Sequence, residues 1–188
     1  MFKHRRPPRP LTLERLEKAA LSYLERYASS AANLKRVLLR RVERAVRAGV
    51  AERIEGIALV ETLVERYRTR GLIDDRTYAE GRVRTLRREG RSRHAIVQRL
   101  LAKGVARAEI DDTLARFNAD SPNAELAAAL SFARRRRLGP YRPAAVRAAN
   151  RAKDLAALAR GGFSLDTARR VLDAASPEEI AAMLAERD

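Results

Sequence analysis

Two adjacent carboxylates are the residues of this sequence that most directly suggest chemistry. Asp74 and Asp75 stand in the segment GLIDDRTYAEGRV (71–83), in a chain with 40 Lys and Arg against 24 Asp and Glu. Paired carboxylates can transfer protons or hold a metal ion. Neighbours at a helix start do not face one substrate, however, and no third ligand lies at a suitable spacing. The pattern therefore favours helix capping, in which a carboxylate accepts hydrogen bonds from free first-turn amides.

Other patterns for catalysis or cofactor binding are absent or weak. His94 has no partner His or Cys, the sequence contains no cysteine, and no G-x-x-x-x-G-K-[ST] phosphate loop occurs. Gly161-Gly162 is interpreted as a helix terminator. The carboxylates are dispersed and form no cluster suited to two metal ions. We predict a protein that is not an enzyme, with no catalytic residues, no metal site and no cofactor.

Arginine supplies most of the candidate binding residues. In segment 84–91 four arginines recur at i, i+3, i+4 and i+7, which is one helical face, and a similar stripe runs through 36–47. A third set occupies 134–151. Like charges at this spacing repel, and arginine makes bidentate contacts with phosphate or carboxylate. One stripe could be a solvated surface, but three in succession favour a continuous surface that faces a polyanion.

The predicted partner- and DNA-binding surface adds one aromatic residue to these arginines. Tyr141 lies in the GPYRP turn beside an arginine run, where it is a candidate for stacking on a base. The predicted surface comprises Arg36, Arg40, Arg44, Arg47, Arg84, Arg87, Arg88, Arg91, Arg134, Arg135, Arg136, Arg137, Tyr141, Arg142, Arg147 and Arg151.

The elements that must position these residues are helices. Apolar residues recur at helical spacing from Leu11 onward, aromatic residues make up only 5% of the chain, and no convincing alternating strand occurs. Gly49, Gly71, Gly90 and Gly104 are predicted helix ends. Serines open helices at Ser92, at Ser121-Pro122 and at Ser176-Pro177, the last within a capping box. The predicted fold class is all-α.

The sequence also repeats itself. LERYASSAANLKRVLLRR (24–41) matches LRREGRSRHAIVQRLLAK (86–103) at a constant offset, and a looser third copy ends in LAALARGGFSLDTARRVL (155–172). One such unit buries too little surface alone, so neighbouring units are expected to cover each other. The predicted division is a flexible basic tail at 1–10, three-helix repeats at 11–75, 76–118 and 119–175, and a C-terminal helix at 176–188.

The formal net charge of +16 indicates a polyanionic partner, either a nucleic acid or an anionic membrane surface. No apolar run approaches the roughly 20 residues of a membrane-spanning helix, and the start of the sequence lacks the apolar core of a secretory signal. The expectation is a cytoplasmic protein without a membrane partner.

GLIDDRTYAE, followed by R-x-G-R-S-x-x-x-I-x-x-x-L-x-x-K-G-V and an I-x-x-x-L helix, resembles the RecX regulatory proteins. The resemblance runs from about Ala19 to Ala175. It implies three tandem three-helix repeats in an elongated, curved arrangement. It also implies a monomeric, non-enzymatic protein that binds the RecA filament on single-stranded DNA and inhibits RecA ATPase, strand exchange and coprotease activity. DNA repair and the SOS response would be the processes regulated, with weaker non-specific binding to duplex DNA.

A second class of function is compatible with the same residues. Three-helix units resemble helix-turn-helix modules, and a basic helix could enter a major groove. A direct regulator of this kind would prefer one duplex sequence, whereas a filament modulator would show salt-sensitive and largely non-specific affinity for DNA.

Overall fold

The structure, a computed structural model, describes residues 10–185. Within this range the chain forms ten α-helices and no β-strand, which confirms the all-α prediction. Residues 1–9 of the predicted basic tail lie outside the described residues. The chain divides into two compact units. The first extends to Tyr78 and includes Lys103–Val105, and the second comprises Ala79–Ala102 and the residues from Ala106 onward.

The first unit consists of α1 (Leu13–Leu24), α2 (Ala31–Arg47), α3 (Arg53–Thr69) and the first turn of α4 (Asp75–Arg88). Apolar residues spaced by three or four positions place one stripe of each helix in a shared core. The side chains at its centre are Leu16, Leu34, Leu38, Val42, Val60, Leu63 and Tyr67.

The second unit holds the rest of α4, then α5 (Arg93–Ala102), α6 (Arg107–Asp120) and α7 (Ala124–Arg136). A 3-10 turn at Gly139–Tyr141 leads to α8 (Ala144–Arg160), α9 (Leu165–Asp173) and α10 (Pro177–Ala185). The core of its C-terminal part contains Phe132 and Phe163, whose ring centroids lie 5.4 Å apart at an interplanar angle of 66°. This edge-on geometry is favourable for aromatic pairs.

Most helix ends lie where the sequence indicates. The four predicted terminator glycines all have positive φ, between 65° and 78°, a conformation that glycine adopts without steric cost. Ser92 caps α5 by accepting a hydrogen bond from the Ala95 amide at 3.1 Å. The predicted start at Ser121-Pro122 is wrong, because α7 begins at Ala124 with no side-chain cap.

Candidate nucleic-acid and partner interface

The arginine stripe of α2 is exposed as predicted. Arg36, Arg40, Arg44 and Arg47 all lie on the surface, on a different face from the buried row that ends at Val42. Arg44 and Arg47 occupy the last turn, where cations stabilise the negative end of the helix dipole. The α2 stripe therefore presents four guanidinium groups along about three turns.

The stripe predicted for segment 84–91 is only partly exposed. Arg84 and Arg88 lie on the surface of α4, and Arg84 Nη2 lies 3.9 Å from Glu80 Oε2. Arg91 follows Gly90, beyond the end of α4 at Arg88, so it does not continue the helical face. Its side chain is half-buried, with Nε 3.6 Å from Glu89.

Arg87 does not belong to an exposed surface. The residue is 8% exposed, and its Nη1 donates to Glu125 Oε2 and, at 3.3 Å, to the Arg91 carbonyl. Both carboxylate oxygens of Glu125 also accept from the Arg93 amide, Oε1 at 3.1 Å and Oε2 at 2.9 Å. Arg87 is buried rather than exposed because a carboxylate from α7, that of Glu125, pairs with its guanidinium group. Arg87 links helices within the second unit.

The arginine run after the middle of α7 is exposed. Arg134, Arg135 and Arg136 form the last turn of α7, and Arg137 caps it in the left-handed conformation at φ 54°. The guanidinium of Arg136 lies 4.7 Å from the centroid of the Phe132 ring, a cation–π distance. This run is the densest positive patch among the predicted residues of the third set.

The remaining predicted residues have structural partners. Arg142 forms a two-pronged ion pair with Asp154, both contacts at 2.8 Å, and the Gly139 amide donates to the same carboxylate at 2.9 Å. Arg147 donates to three backbone carbonyls, among them Pro140 at 2.7 Å. These bonds hold the chain around the 3-10 turn, so Arg142 and Arg147 are not a free cationic surface.

Tyr141 and Arg151, the other two residues of the predicted surface, also contact other parts of the protein. Tyr141 is half-buried and packs against the core, and burial raises the pKa of its hydroxyl group. A ring held in this way does not offer a free face for a base. Arg151 is exposed but pairs with Asp173, with Nη2 to Oδ1 at 2.5 Å.

The aspartate pair has the predicted capping role, with one difference. Asp74 accepts from the amides of Arg76 and Thr77 at 2.8 and 3.3 Å. Hydrogen bonds from Thr77 lower the pKa of this carboxyl group. Asp75 instead accepts from the Ala31 amide at 2.8 Å, so it caps α2 rather than its own helix. Each carboxylate is committed to a helix start.

Metal sites and membrane-spanning helices are both missing from the part of the chain that the structure describes. Residues 10–185 contain no group of three or more His, Cys, Asp or Glu residues placed to hold a metal ion. No helix in the same range is long and apolar enough to cross a membrane.

A comparison with known proteins identifies the family. A protein of Myxococcus xanthus (strain DK1622) named Regulatory protein RecX is 45% identical over 169 residues, which span 88% of each sequence. The chain belongs to the RecX family of regulatory proteins. A second protein of that name, from Agrobacterium fabrum (strain C58 / ATCC 33970), is 39% identical over 100 residues, or 53% of this chain and 51% of that protein. These names support a regulatory role.

A family profile and solved structures agree with the RecX fold. The profile described as RecX, second three-helix domain, matches residues 74–114. A crystal structure of regulatory protein RecX superimposes with a TM-score of 0.61 at 24% identity, covering 86% of this chain and 72% of that one. RecX from Lactobacillus salivarius gives 0.60 at 17% identity, covering 86% and 94%. At these identities the likeness concerns the fold, a helical repeat.

Sequence reasoning missed the carboxylates that engage the predicted arginines. Glu125 is 38 residues from Arg87, and nothing local indicates the pair. Asp154 left a clearer signal, because it is the only acidic residue of α8 and stands four positions before the buried Leu158. An isolated carboxylate on a buried helical face requires a partner.

Proposed function

We propose that this RecX family member binds the RecA filament on single-stranded DNA and inhibits RecA ATPase, strand exchange and coprotease activity. The support is family membership together with basic helical faces suited to a filament that carries phosphate and carboxylate groups. The protein acts as a monomer, without catalysis, in the cytoplasm, and regulates recombination, DNA repair and the SOS response.

The exposed α2 stripe is the observation that carries this proposal. Four arginines spaced by three or four residues repel one another along one helix, and each pair destabilises the helix by about 0.2–0.5 kcal/mol. A polyanion on this face offsets that repulsion and releases counterions from the nucleic acid. We assign Arg84, Arg88 and Arg134–Arg137 to the same binding role. Arg87 is left out because it is buried, and Arg142 and Arg147 because they are half-buried with guanidinium groups held by the chain's own oxygen atoms.

The test is the RecA ATPase rate on single-stranded DNA, titrated with substoichiometric amounts of this protein. We expect inhibition that persists when excess competitor DNA is added, because the filament is the target. Replacing Arg36, Arg40, Arg44 and Arg47 by Gln is expected to weaken the inhibition. The matched control replaces four exposed arginines outside the stripe, Arg26, Arg53, Arg68 and Arg70.

The alternative is a regulator that binds duplex DNA directly. Exposed arginines on α2 and α4 are compatible with it, as is the three-helix domain. Inhibition that disappears with competitor DNA, together with a preference for one duplex sequence, would contradict the filament proposal and support this alternative.

A further inference from the structure

Within the first unit, the start of α2 is docked on the turn that follows α5. Ser30 Oγ accepts from the Asn33 amide at 3.2 Å and donates to the Lys103 carbonyl at 2.5 Å. Gly104 in this turn has φ +78°, and a Cβ added there would lie 2.4 Å from Ala32 Cβ. The contact therefore needs a serine cap on one side and a glycine on the other.

Within the second unit, the same arrangement joins the start of α5 to the turn that follows α8. Ser92 Oγ caps its own helix and donates to the Gly161 carbonyl at 2.7 Å. Gly162 has φ +84°, and a Cβ there would lie 2.6 Å from Ser92 Oγ and 3.1 Å from His94 Cβ.

A carboxylate completes both contacts. Asp75, the first residue of α4, accepts from the Ala31 amide at 2.8 Å. Glu125, the second residue of α7, accepts from the Arg93 amide at 2.9 Å. In each case the amide belongs to the residue that follows the capping serine. We call this combination of serine cap, glycine turn and carboxylate the joint.

The turn after α2 has the glycine turn of a joint, but no helix among the described residues docks on it. Gly49 has φ +68°, and a Cβ added there would meet no atom within 4 Å. The Val50 amide donates to Ala45 at 3.1 Å, as the Phe163 amide donates to Leu158 at 3.2 Å in the turn after α8.

A groove of about 660 Å³ lies beside this turn, between α1 and the carboxyl end of α2. This volume is within the range of ligand-binding clefts, about 300–1,000 Å³. Leu11, Leu16, Ala45 and Val50 supply apolar lining. The groove can thus accept the first turns of a helix as well as its cap.

The charges around the groove define the chemistry of what it binds. Arg15, Lys18, Arg41 and Arg44 line it, and no carboxylate among the described residues does so. Four cations favour a segment that carries Asp or Glu. The chain's own segment MFKHRRPPR (1–9) has only positive charges, and a second copy of a chain with net charge +16 is repelled.

We propose that the groove at Gly49 is a docking site for the amino end of an acidic, serine-capped helix of a partner protein. The serine hydroxyl of the partner donates to the Ala48 carbonyl, and its small second and third residues pass over Gly49. Its glutamates face Lys18 and Arg41. This site is separate from the α2 stripe except for Arg44, which borders both.

The test uses the full chain and a synthetic helical peptide that begins Ser-Ala-Ala-Glu and carries further glutamates on one face. Binding is followed by peptide fluorescence anisotropy and by the amide signals of Gly49 and Val50 in NMR spectra. We expect saturable binding with shifts at these two amides. The same peptide with Val in place of Ser is expected to bind more weakly, because the hydroxyl donor is lost.

Gly49→Asn is the informative variant, because asparagine tolerates positive φ but adds a Cβ where the incoming helix must pass. We expect it to weaken peptide binding by about tenfold or more, through steric overlap. Gly71→Asn is the matched control: Gly71 has φ +69° and equally open surroundings, so the backbone strain is the same and binding is retained.

Lys18→Gln with Arg41→Gln is expected to weaken binding and reduce its dependence on salt. Neither residue belongs to the surface assigned to RecA and DNA, so failure here leaves the proposed function untouched. The docking proposal is overturned if the peptide does not bind, or if Gly49→Asn and Gly71→Asn bind it equally well.

Discussion

Asp154 is a carboxylate with 1% of its surface exposed, in the alanine-rich helix α8. Burial by itself raises the pKa of such a group, but the hydrogen bonds from Arg142 and the Gly139 amide outweigh it, so the pKa of Asp154 is lowered. The folded chain therefore binds fewer protons here than the unfolded chain. The resulting stability is present above the unfolded pKa of about 3.9 and is lost as the pH falls through the folded pKa.

Asp154→Asn is expected to lower the free energy of unfolding by roughly 2–4 kcal/mol at pH 7, because Arg142 loses its partner while remaining partly buried. Urea unfolding at a series of pH values measures this difference, which should narrow below about pH 4, because there the unfolded wild-type chain binds a proton at Asp154 more readily than the folded chain does. Asp173→Asn removes an exposed carboxylate and serves as the control, with a change of about 0.5 kcal/mol at most. If the free energies of unfolding of the wild type and Asp154→Asn differ by the same amount at pH 3 and pH 7, the Asp154 carboxylate is not the source of this stability.

At the scale of helices, the sequence predicts where a helix ends better than it predicts which other segments the helix contacts. Glycine stops and the Ser92 cap are local features, since the relevant atoms lie within a few residues of each other. The start of α7 was missed because Asn123 supplies no side-chain cap for a local pattern to reveal. The joints were missed for a different reason: Ser30 and Lys103 are 73 residues apart, and only the folded chain brings them together.

The sequence also cannot show which arginines of the predicted binding surface are exposed, because their partners lie far away in the chain. Spacing places Arg84, Arg87 and Arg88 in neighbouring positions on α4, but it does not reveal which of them meets a carboxylate from another helix. Arg87 faces Glu125, while Arg84 and Arg88 stay exposed. Helical periodicity fixes the angle of a side chain about its helix axis, whereas long-range packing decides whether that direction is solvent.

The buried and the exposed arginines of α4 are expected to respond differently to substitution. Arg87→Gln is expected to lower the free energy of unfolding by about 1–3 kcal/mol, less than a fully buried pair because Glu125 is partly exposed. Arg84→Gln with Arg88→Gln should change stability by less than about 0.5 kcal/mol and instead weaken DNA binding. Thermal unfolding and DNA titration at one salt concentration separate the two effects. A stable Arg87→Gln chain with impaired DNA binding would reverse the assignment.

At the scale of the whole molecule, the excess of positive charge is not explained by internal pairing. Many carboxylates in the described residues are used in ion pairs and caps, including Asp75, Glu125 and Asp154. The cationic stripe of α2 and the run at Arg134–Arg137 remain exposed, so eight arginines of this basic chain face outward at these two places. Such a surface attracts polyanions over a distance set by ionic strength.

Salt dependence measures how many of these arginines contact phosphate. For single-stranded DNA, the logarithm of the binding constant falls with the logarithm of salt concentration by about 0.7 per neutralised phosphate. If all four arginines of the α2 stripe make such contacts, replacing them by Gln should reduce the slope by about 3. Replacing Arg26, Arg53, Arg68 and Arg70 lowers the net charge equally but should leave the slope close to its original value. Equal reductions in the two variants would mean that DNA senses overall charge rather than the α2 face, and would remove that face from the proposed interface.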